Sequence, residues 1–256
     1  MQDVKQPTVQ LLKSIETGDP IPARIIHESH YVQHNLAVCD GLEGFVDALK
    51  ALPKNSAKVN TVRVFQDADF VFTHTDYHFF GPKIGFDVFR FEDARIVEHW
   101  DNLQATPAEP NPSGHTMIDG PTEVMDPDQR EVNKELVRSF VHDIFIQGQM
   151  DRLAEYFDGE HCIQHNPHIG DGLWGLRTAL KTLSQAGMEI HYERVHQVLG
   201  EGNFALVISE GSVGAQHSCF YDLFRVQAGK IAEHWDVIEP IAPVAEHKNN
   251  NGKFGF

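Results

Sequence analysis

Cysteine, basic charge and long apolar runs are what this chain has least of, and each shortage closes off a class of protein. Three cysteines, Cys39, Cys162 and Cys219, occur in 256 residues, an odd number with no C-x-x-C pair. That leaves no disulfide framework and no structural zinc ribbon to read, and it fits a reducing, cytoplasmic setting. Lys and Arg number 21 against 37 Asp and Glu, a formal charge of −16. A chain so short of basic residues has no footprint for nucleic acid or for an anionic membrane surface. No apolar stretch approaches the roughly 20 residues that a bilayer span requires. The first turns carry Asp3, Lys5, Lys13 and Glu16 where an export leader would have its apolar segment. Nor is there a Gly-x-Ser-x-Gly elbow or a His-Glu-x-x-His helix.

What the chain does have, it has twice. Glu98-His99-Trp100-Asp101 returns 135 residues later as Glu233-His234-Trp235-Asp236, and eight of the fifteen positions from Asp87 to Asp101 are identical in the second copy. Gln33-His34-Asn35 followed by Asp40-Gly41-Leu42 is answered by Gln164-His165-Asn166 followed by Asp171-Gly172-Leu173. Self-similarity at a fixed spacing is the mark of duplication. The sequence therefore divides into residues 1–108, a linker or arm at 109–129, residues 130–241 and a tail at 242–256, the tail expected to be extended or mobile. Each half is large enough for its own core.

Within the first half, Val9, Leu11, Leu12 and Ile15 recur at helical spacing and Gly18-Asp19-Pro20 ends the run. Short helices are predicted over 23–29 and 41–52, the latter closed by Pro53. Four strands are predicted over 58–65, 70–75, 84–91 and 95–103, separated by turn-forming residues. The second half repeats the order, with helices over 130–146, 152–157 and 172–185 and strands over 188–199, 204–210, 216–226 and 230–238. Helices followed by a meander of strands make an α+β unit, its helices packed on a curved antiparallel sheet. The segment 106–128 holds five prolines, which suits a connection rather than a third domain.

Helices first, then an early Gln-His-Asn-(Pro) and a closing Asp-x-Phe-Arg…Gly-Lys-Ile-x-Glu-His-Trp-Asp, resemble the SnoaL-like (polyketide cyclase-like) family of the nuclear transport factor 2-like superfamily. The second half carries the pattern in full, with Asn166-Pro167 and Gly229-Lys230-Ile231; the first has Leu36 for the proline and Ala94-Arg95 for Gly-Lys. The resemblance implies two tandem cone-shaped α+β barrels of the cystatin-like kind, each holding a small apolar or carbonyl-containing molecule without metal or organic cofactor. It also implies carboxylate–histidine acid/base chemistry of the aldol-cyclisation type. Because single-unit relatives pair through their sheets, an intrachain pseudo-dimer is implied, with a homodimer of chains as a further arrangement. The superfamily also includes isomerases and non-catalytic ligand- or protein-binding domains, so fold analogy leaves the chemistry open.

On an extended strand His99 and Asp101 share one face and Glu98 and Trp100 the other. His99 with Asp101, and His234 with Asp236, make acid/base pairs. Asp87 and Asp222 lie one strand away. His34 and His165 are expected at the cone mouths, able to work with Asp101 or Asp236. Asn35, His74, Trp100, Asn166 and Trp235 are the expected ligand contacts. Each tetrad reads equally well as a structural anchor, and Gln33-His34-Asn35 as a cap for buried backbone groups. Asp40 and Asp171 read as helix N-caps. The sixteen histidines include no helical chelating pair, and His74 and His78 on a strand are about 13 Å apart at Cβ, so no metal site is expected.

Overall fold

The computed structural model describes residues 2–52 and 56–256; Pro53, the expected helix stop, lies outside them. The chain divides into two compact units, Met1–Thr106 with Ala242–Gly255, and Pro107–Ile241. In the first unit, helix α1 (Lys5–Thr17) is followed by strand β1 (Val32–Gln33), helix α2 (Gly41–Ala51) and strands β2 (Lys58–Asp67), β3 (Phe70–His78), β4 (Pro82–Glu92) and β5 (Arg95–Ala105). In the second, helix α3 (Arg130–Phe140) precedes β6 (Ile163–Gln164), α4 (Gly172–Gln185), β7 (Ile190–Glu201), β8 (Phe204–Val213), β9 (Gln216–Gln227) and β10 (Lys230–Pro240). The sheets run β1-β5-β4-β3-β2 and β6-β10-β9-β8-β7. This is the tandem pair of α+β cones that the resemblance implied, with one refinement: each sheet is mixed, because β1 and β6 run parallel to β5 and β10.

Amphipathic patterning drives the assembly. Leu11 and Leu12 of α1 join Val71, Phe89 and Phe91 of the sheet in one buried cluster. Val137 and Phe140 of α3 join Phe220, Phe224 and Val226 in the other. Bulges bend each sheet at the same place, between Arg90 and Phe91 against β5 and between Ile231 and Glu233 against β9.

Several local expectations are corrected. The predicted helix over 23–29 is a single 3-10 turn, Pro22–Ile25, after which Ile26 bridges Ile96 as extended chain. The predicted helix over 130–146 turns π-helical from Val141 to Ile146, and that over 152–157 is a 3-10 helix, Met150–Tyr156. Asp40 and Asp171 stand at the N-cap positions of α2 and α4 without capping them. Their carboxylates instead accept the backbone N–H of Gln33 at 2.9 Å and of Gln164 at 3.0 Å, tying the Gln-His-Asn segment to the helix start.

Both segments read as connections are docked. Residues 107–126 pack on the second cone: Asn111 Nδ2 donates to the carbonyls of Gln164 and Ile169 at 2.6 and 3.0 Å, and Trp235 Nε1 donates to Asp119 O at 3.0 Å. The tail, expected to be mobile, packs on the first cone. Asn249 Nδ2 donates to the carbonyls of Asn35 and Val38 at 2.8 and 2.9 Å, and Asn251 Nδ2 to Gln33 O at 2.9 Å. Both arms share an Asn-x-x-Gly start, Asn111…Gly114 and Asn249…Gly252.

Candidate functional site

Strand parity sorts the motif residues onto two faces. Register places Asp87 opposite Asp101 and Phe89 opposite His99 on β4 and β5, and Asp222 opposite Asp236 and Phe224 opposite His234 on β9 and β10. These residues turn inward. The same alternation along β1 and β6 turns Gln33 and Asn35, or Gln164 and Asn166, inward, and sends His34 or His165 to the opposite face.

In the first cone His99 bridges two acceptors. Its Nδ1 lies 3.1 Å from Gln33 Oε1 and its Nε2 3.1 Å from Asp87 Oδ1. The Gln33 amide is oriented by Asn35 N–H, which donates to Oε1 at 2.9 Å, and by Nε2 donating to Tyr31 OH at 3.1 Å. His99 Nδ1 therefore carries a proton, and Nε2 shares one with Asp87. Asp87 is further held by Tyr77 OH, donating to Oδ2 at 2.6 Å, and Thr73 Oγ1 at 3.4 Å. Asp101 accepts from Asn35 Nδ2 at 2.6 Å through Oδ2. Its buried Oδ1 has no hydrogen-bond partner among the described residues; the Lys253 ammonium stands 3.6 Å away.

The second cone repeats the network. His234 Nδ1 meets Gln164 Oε1 at 2.9 Å and Nε2 meets Asp222 Oδ1 at 3.0 Å. Tyr192 OH reaches both oxygens of Asp222, at 3.1 and 3.2 Å. Asn166 Nδ2 donates to Asp236 Oδ2 at 2.6 Å, and Asp236 Oδ1 again lacks a partner among the described residues. Burial, abetted by the Asp222 charge, lifts the Asp236 carboxyl to about 6 against the pull of His234 and of the Asn166 hydrogen bond. Burial also presses the His234 imidazolium down, but the Asp222 hydrogen bond and the charges of Asp236 and Asp222 outweigh it and leave the pKa raised. Desolvation, with Asp87 or Asp222 alongside, raises the Tyr77 and Tyr192 hydroxyls well above their ordinary range.

The cavities differ. The first cone encloses about 150 Å³ lined by Leu11, Ile15, Phe45 and Phe89, with Asp87, His99 and Asp101 in its wall. The second retains about 30 Å³, pressed by Phe140, Phe145 and Phe157 beside His234 and Asp236. Among the described residues, three groups bring histidine and carboxylate ligand atoms close enough to hold a metal ion: Asp87, His99 and Asp101; Asp222, His234 and Asp236; and His115, Asp119 and His165.

Of the residues expected at the site, the structure brings together Asp87, His99, Asp101 and Asn35 in one cone and Asp222, His234, Asp236 and Asn166 in the other. It separates the rest from them. His34 and His165 stack flat on Trp100 and Trp235, centroids 4.6 Å apart in both pairs. On that opposite face His34 Nε2 contacts Glu98 Oε1 at 3.0 Å and His165 Nε2 contacts Glu233 Oε1 at 2.8 Å. Arg90 and Arg225 hold the same carboxylates at 2.7 Å. The expectation that His34 or His165 works with Asp101 or Asp236, and that Trp100 and Trp235 contact ligand, is corrected by this parity. His74 is likewise outside, its Nδ1 3.1 Å from Arg63 and its ring stacked on Phe86. Gln33 and Gln164, which the motif gives only a capping role, and Tyr77 and Tyr192, which the sequence gives none, complete the two networks. Period-2 alternation through Gln-His-Asn would have found the glutamines, but the tyrosines lie on different strands in the two copies and leave no repeat to notice.

No family model and no curated protein matches this sequence. Solved structures do. TsrD from Streptomyces laurentii is 20% identical over 41% of this chain and 92% of its own, with a TM-score of 0.36. A candidate SnoaL-like polyketide cyclase from Shewanella putrefaciens is 14% identical over 40% of this chain and 80% of its own, TM-score 0.33. An NTF2-like protein of unknown function from Cytophaga hutchinsonii is 16% identical over 47% of this chain and 96% of its own, TM-score 0.34.

Proposed function

We propose that the first cone performs acid/base catalysis on a small, largely apolar carbonyl compound, with Asp101 as the base and no organic cofactor. The observation that carries this reading is a buried carboxylate oxygen, Asp101 Oδ1, without a hydrogen-bond partner among the described residues, in the wall of an apolar cavity of about 150 Å³. A carboxylate oxygen left open toward a cavity is placed to take a proton from whatever the cavity holds. Asn35 fixes the other oxygen, so the lone pair of Oδ1 has a set direction. His99, its ring nitrogens engaged by Gln33 and Asp87, lines the same cavity and holds the polar side of the wall in place. Asp101 would take a proton from the carbon next to the carbonyl and return it to carbon or oxygen, the elementary step shared by aldol closure and isomerisation. A cavity of this size suits about one six-membered ring.

The second cone keeps the polar network with space for little more than one water. Its apolar filling supports a supporting role for that half, with catalysis in the first. The test is proton exchange: a panel of enolisable cyclic ketones incubated with the protein in D2O, with α-deuteration followed by NMR. Asp101→Asn should lower the exchange rate by about 100-fold or more, and Asp236→Asn should leave it within about twofold. Binding of the ketones without any exchange would instead favour a non-catalytic ligand-binding protein.

A further inference from the structure

The arm on the second cone brings in a cluster that the acid/base chemistry does not use. His115 and Asp119, one residue either side of Thr116–Ile118, meet His165 so that one ligand atom from each lies within 4.8 Å of the others. His165 Nδ1 is 2.7 Å from Asp119 Oδ1, and His115 Nδ1 is 3.8 Å from Asp119 Oδ2. Both rings thus aim Nδ1 at one carboxylate.

Their other nitrogens are each held by a second carboxylate. His165 Nε2 contacts Glu233 Oε1 at 2.8 Å, and His115 Nε2 contacts Asp171 Oδ2 at 3.2 Å. A carboxylate behind each imidazole orients the ring, the arrangement that outer groups supply to metal-bound histidines. Asp119 Oδ1, Glu233 Oε1 and the Thr116 carbonyl at 2.8 Å, which surround the His165 ring nitrogens, are all acceptors. Such a ring is satisfied by carrying two protons, or by a cation in place of the one at Nδ1.

The frame around the cluster is tight. Trp235 donates to Asp119 O and stacks under His165. Gly120, at φ +92°, approaches so closely that a Cβ there would meet Glu233 Oε1 at 2.5 Å and Trp235 at 2.9 Å. Asp119 is therefore presented to His165 by packed structure rather than by a loose loop. In the first cone's arm the residue after Asn-x-x-Gly is Lys253, not histidine, so the cluster belongs to the second cone alone.

We propose that His115, Asp119 and His165 bind one divalent first-row transition metal, with zinc a suitable occupant, which clips the 107–126 arm to the second cone. Two imidazoles and one carboxylate are ordinary donors for such an ion. Bonds of about 2.1 Å set ligand atoms about 3.4 Å apart in a tetrahedron, between the 2.7 and 3.8 Å contacts present, an adjustment open to the partly exposed His115 and Asp119 side chains. The proposal does not depend on the catalytic reading.

Isothermal titration of the full chain with Zn2+ tests it. One ion should bind per chain, and His115→Ala and Asp119→Ala should each weaken binding by about 100-fold or more, while Asp101→Asn and Asp236→Asn leave it unchanged. Amide exchange in the arm should slow with zinc only in chains retaining His115. Anomalous scattering from a zinc-soaked crystal of the unsubstituted protein should place the ion between these three residues, independently of how the variants fold. Absence of saturable binding below about 100 µM would overturn the proposal. So would equal affinity in His115→Ala, or an ion found instead in either Asp-His-Asp cluster.

Discussion

The two cones carry the same polar network on different apolar scaffolds, and the difference shows what duplication left tied and what it released. In the first, Tyr77 on β3 holds Asp87; in the second, Tyr192 on β7 holds Asp222. Register explains the exchange. Tyr77 lies opposite Val59 on β2, whereas the matched pair in the second cone is Tyr192 on β7 opposite Gly211 on β8. The phenol has moved one strand over, and its former place is Gly211, where a Cβ would lie 2.0 Å from His191 O. Gly85 makes room beside Tyr77 in the first cone; at the matching place Phe220 stacks on Tyr192 at 4.3 Å. The acceptor on the carboxylate was kept while the residue supplying the donor was not. The larger divergence is in filling, where Phe140 of α3 and its neighbours Phe145 and Phe157 occupy space that the first cone leaves open.

Phe140 is the sharpest place to break that contrast. It is buried and makes edge contacts with Phe145, Tyr156, Phe157 and Phe224. Phe140→Ala should destabilise the second cone by about 4 kcal/mol, as large-to-small core changes with a residual cavity do. Leu11→Ala, beside an existing cavity, should cost about 2 kcal/mol. Hydrogen exchange by mass spectrometry reads each cone's strands separately. Equal losses would mean that the void in the first cone does not distinguish the two.

Next in size is pH. The Asp236 carboxyl, lifted to about 6, holds its proton in the folded state to higher pH than an unfolded aspartate does. Its contribution is full below about 4 and is lost as pH rises through 6, amounting to about 3 kcal/mol. The raised His234 pKa acts in the same sense, its stabilisation present below the unfolded value and lost as pH rises. Protection of β9 and β10 amides should therefore fall from about pH 4 to just above pH 6, and Asp236→Asn should flatten that slope. A slope unchanged in the variant would show that this carboxyl is not its source.

How much of this could be read from the residues alone follows from which interactions are periodic. The duplication, the strand order and the inward pairing of His99 with Asp101 all follow from spacing. The outward turn of His34 follows from the same rule, since Gln33 and Asn35 flank it, but over 31–35 the residues suit a short strand or a helix exit alike, too short a run to say which face is inward. Asp40 illustrates a limit of another kind. An aspartate before a helix satisfies the rule for capping, yet its carboxylate reaches back to Gln33 N–H, a tertiary choice that no local rule encodes. The arms are hard to see because their hydrogen bonds run to segments 53 to 218 residues away; the Asn-x-x-Gly echo is a sign the sequence offers. Cavity volume was invisible because it is a small remainder after all the packing is done.

The tyrosines sharpen the comparison at smaller scale. Tyr192→Phe leaves buried Asp222 with the His234 contact as its side-chain hydrogen bond among the described residues, and should cost about 2 kcal/mol. Tyr77→Phe leaves Asp87 both His99 and the Thr73 hydroxyl at 3.4 Å, and should cost about 1 kcal/mol. The reverse order would mean that Thr73 contributes nothing to holding the carboxylate.

The smallest difference lies in the hairpin turns that feed the two closing strands, where the first copy has Asp93-Ala94 and the second Ala228-Gly229. Both central residues of each turn have positive φ, 46° and 60° in the first and 50° and 74° in the second, the conformation that matches strand twist in two-residue hairpins. A side chain at such a position costs about 1 kcal/mol that glycine avoids. Ala94 therefore holds the first hairpin slightly strained, while Gly229 relaxes the second. Ala94→Gly should raise the stability of the first cone by about 1 kcal/mol less the entropy that glycine adds to the unfolded chain, and Gly229→Ala should lower that of the second by a similar amount. Exchange of the β4–β5 and β9–β10 amides measures both. If Ala94→Gly destabilises instead, unfolded-state entropy outweighs turn strain, and this departure from Gly-Lys in the first copy is neutral drift rather than a weakness of its closing hairpin.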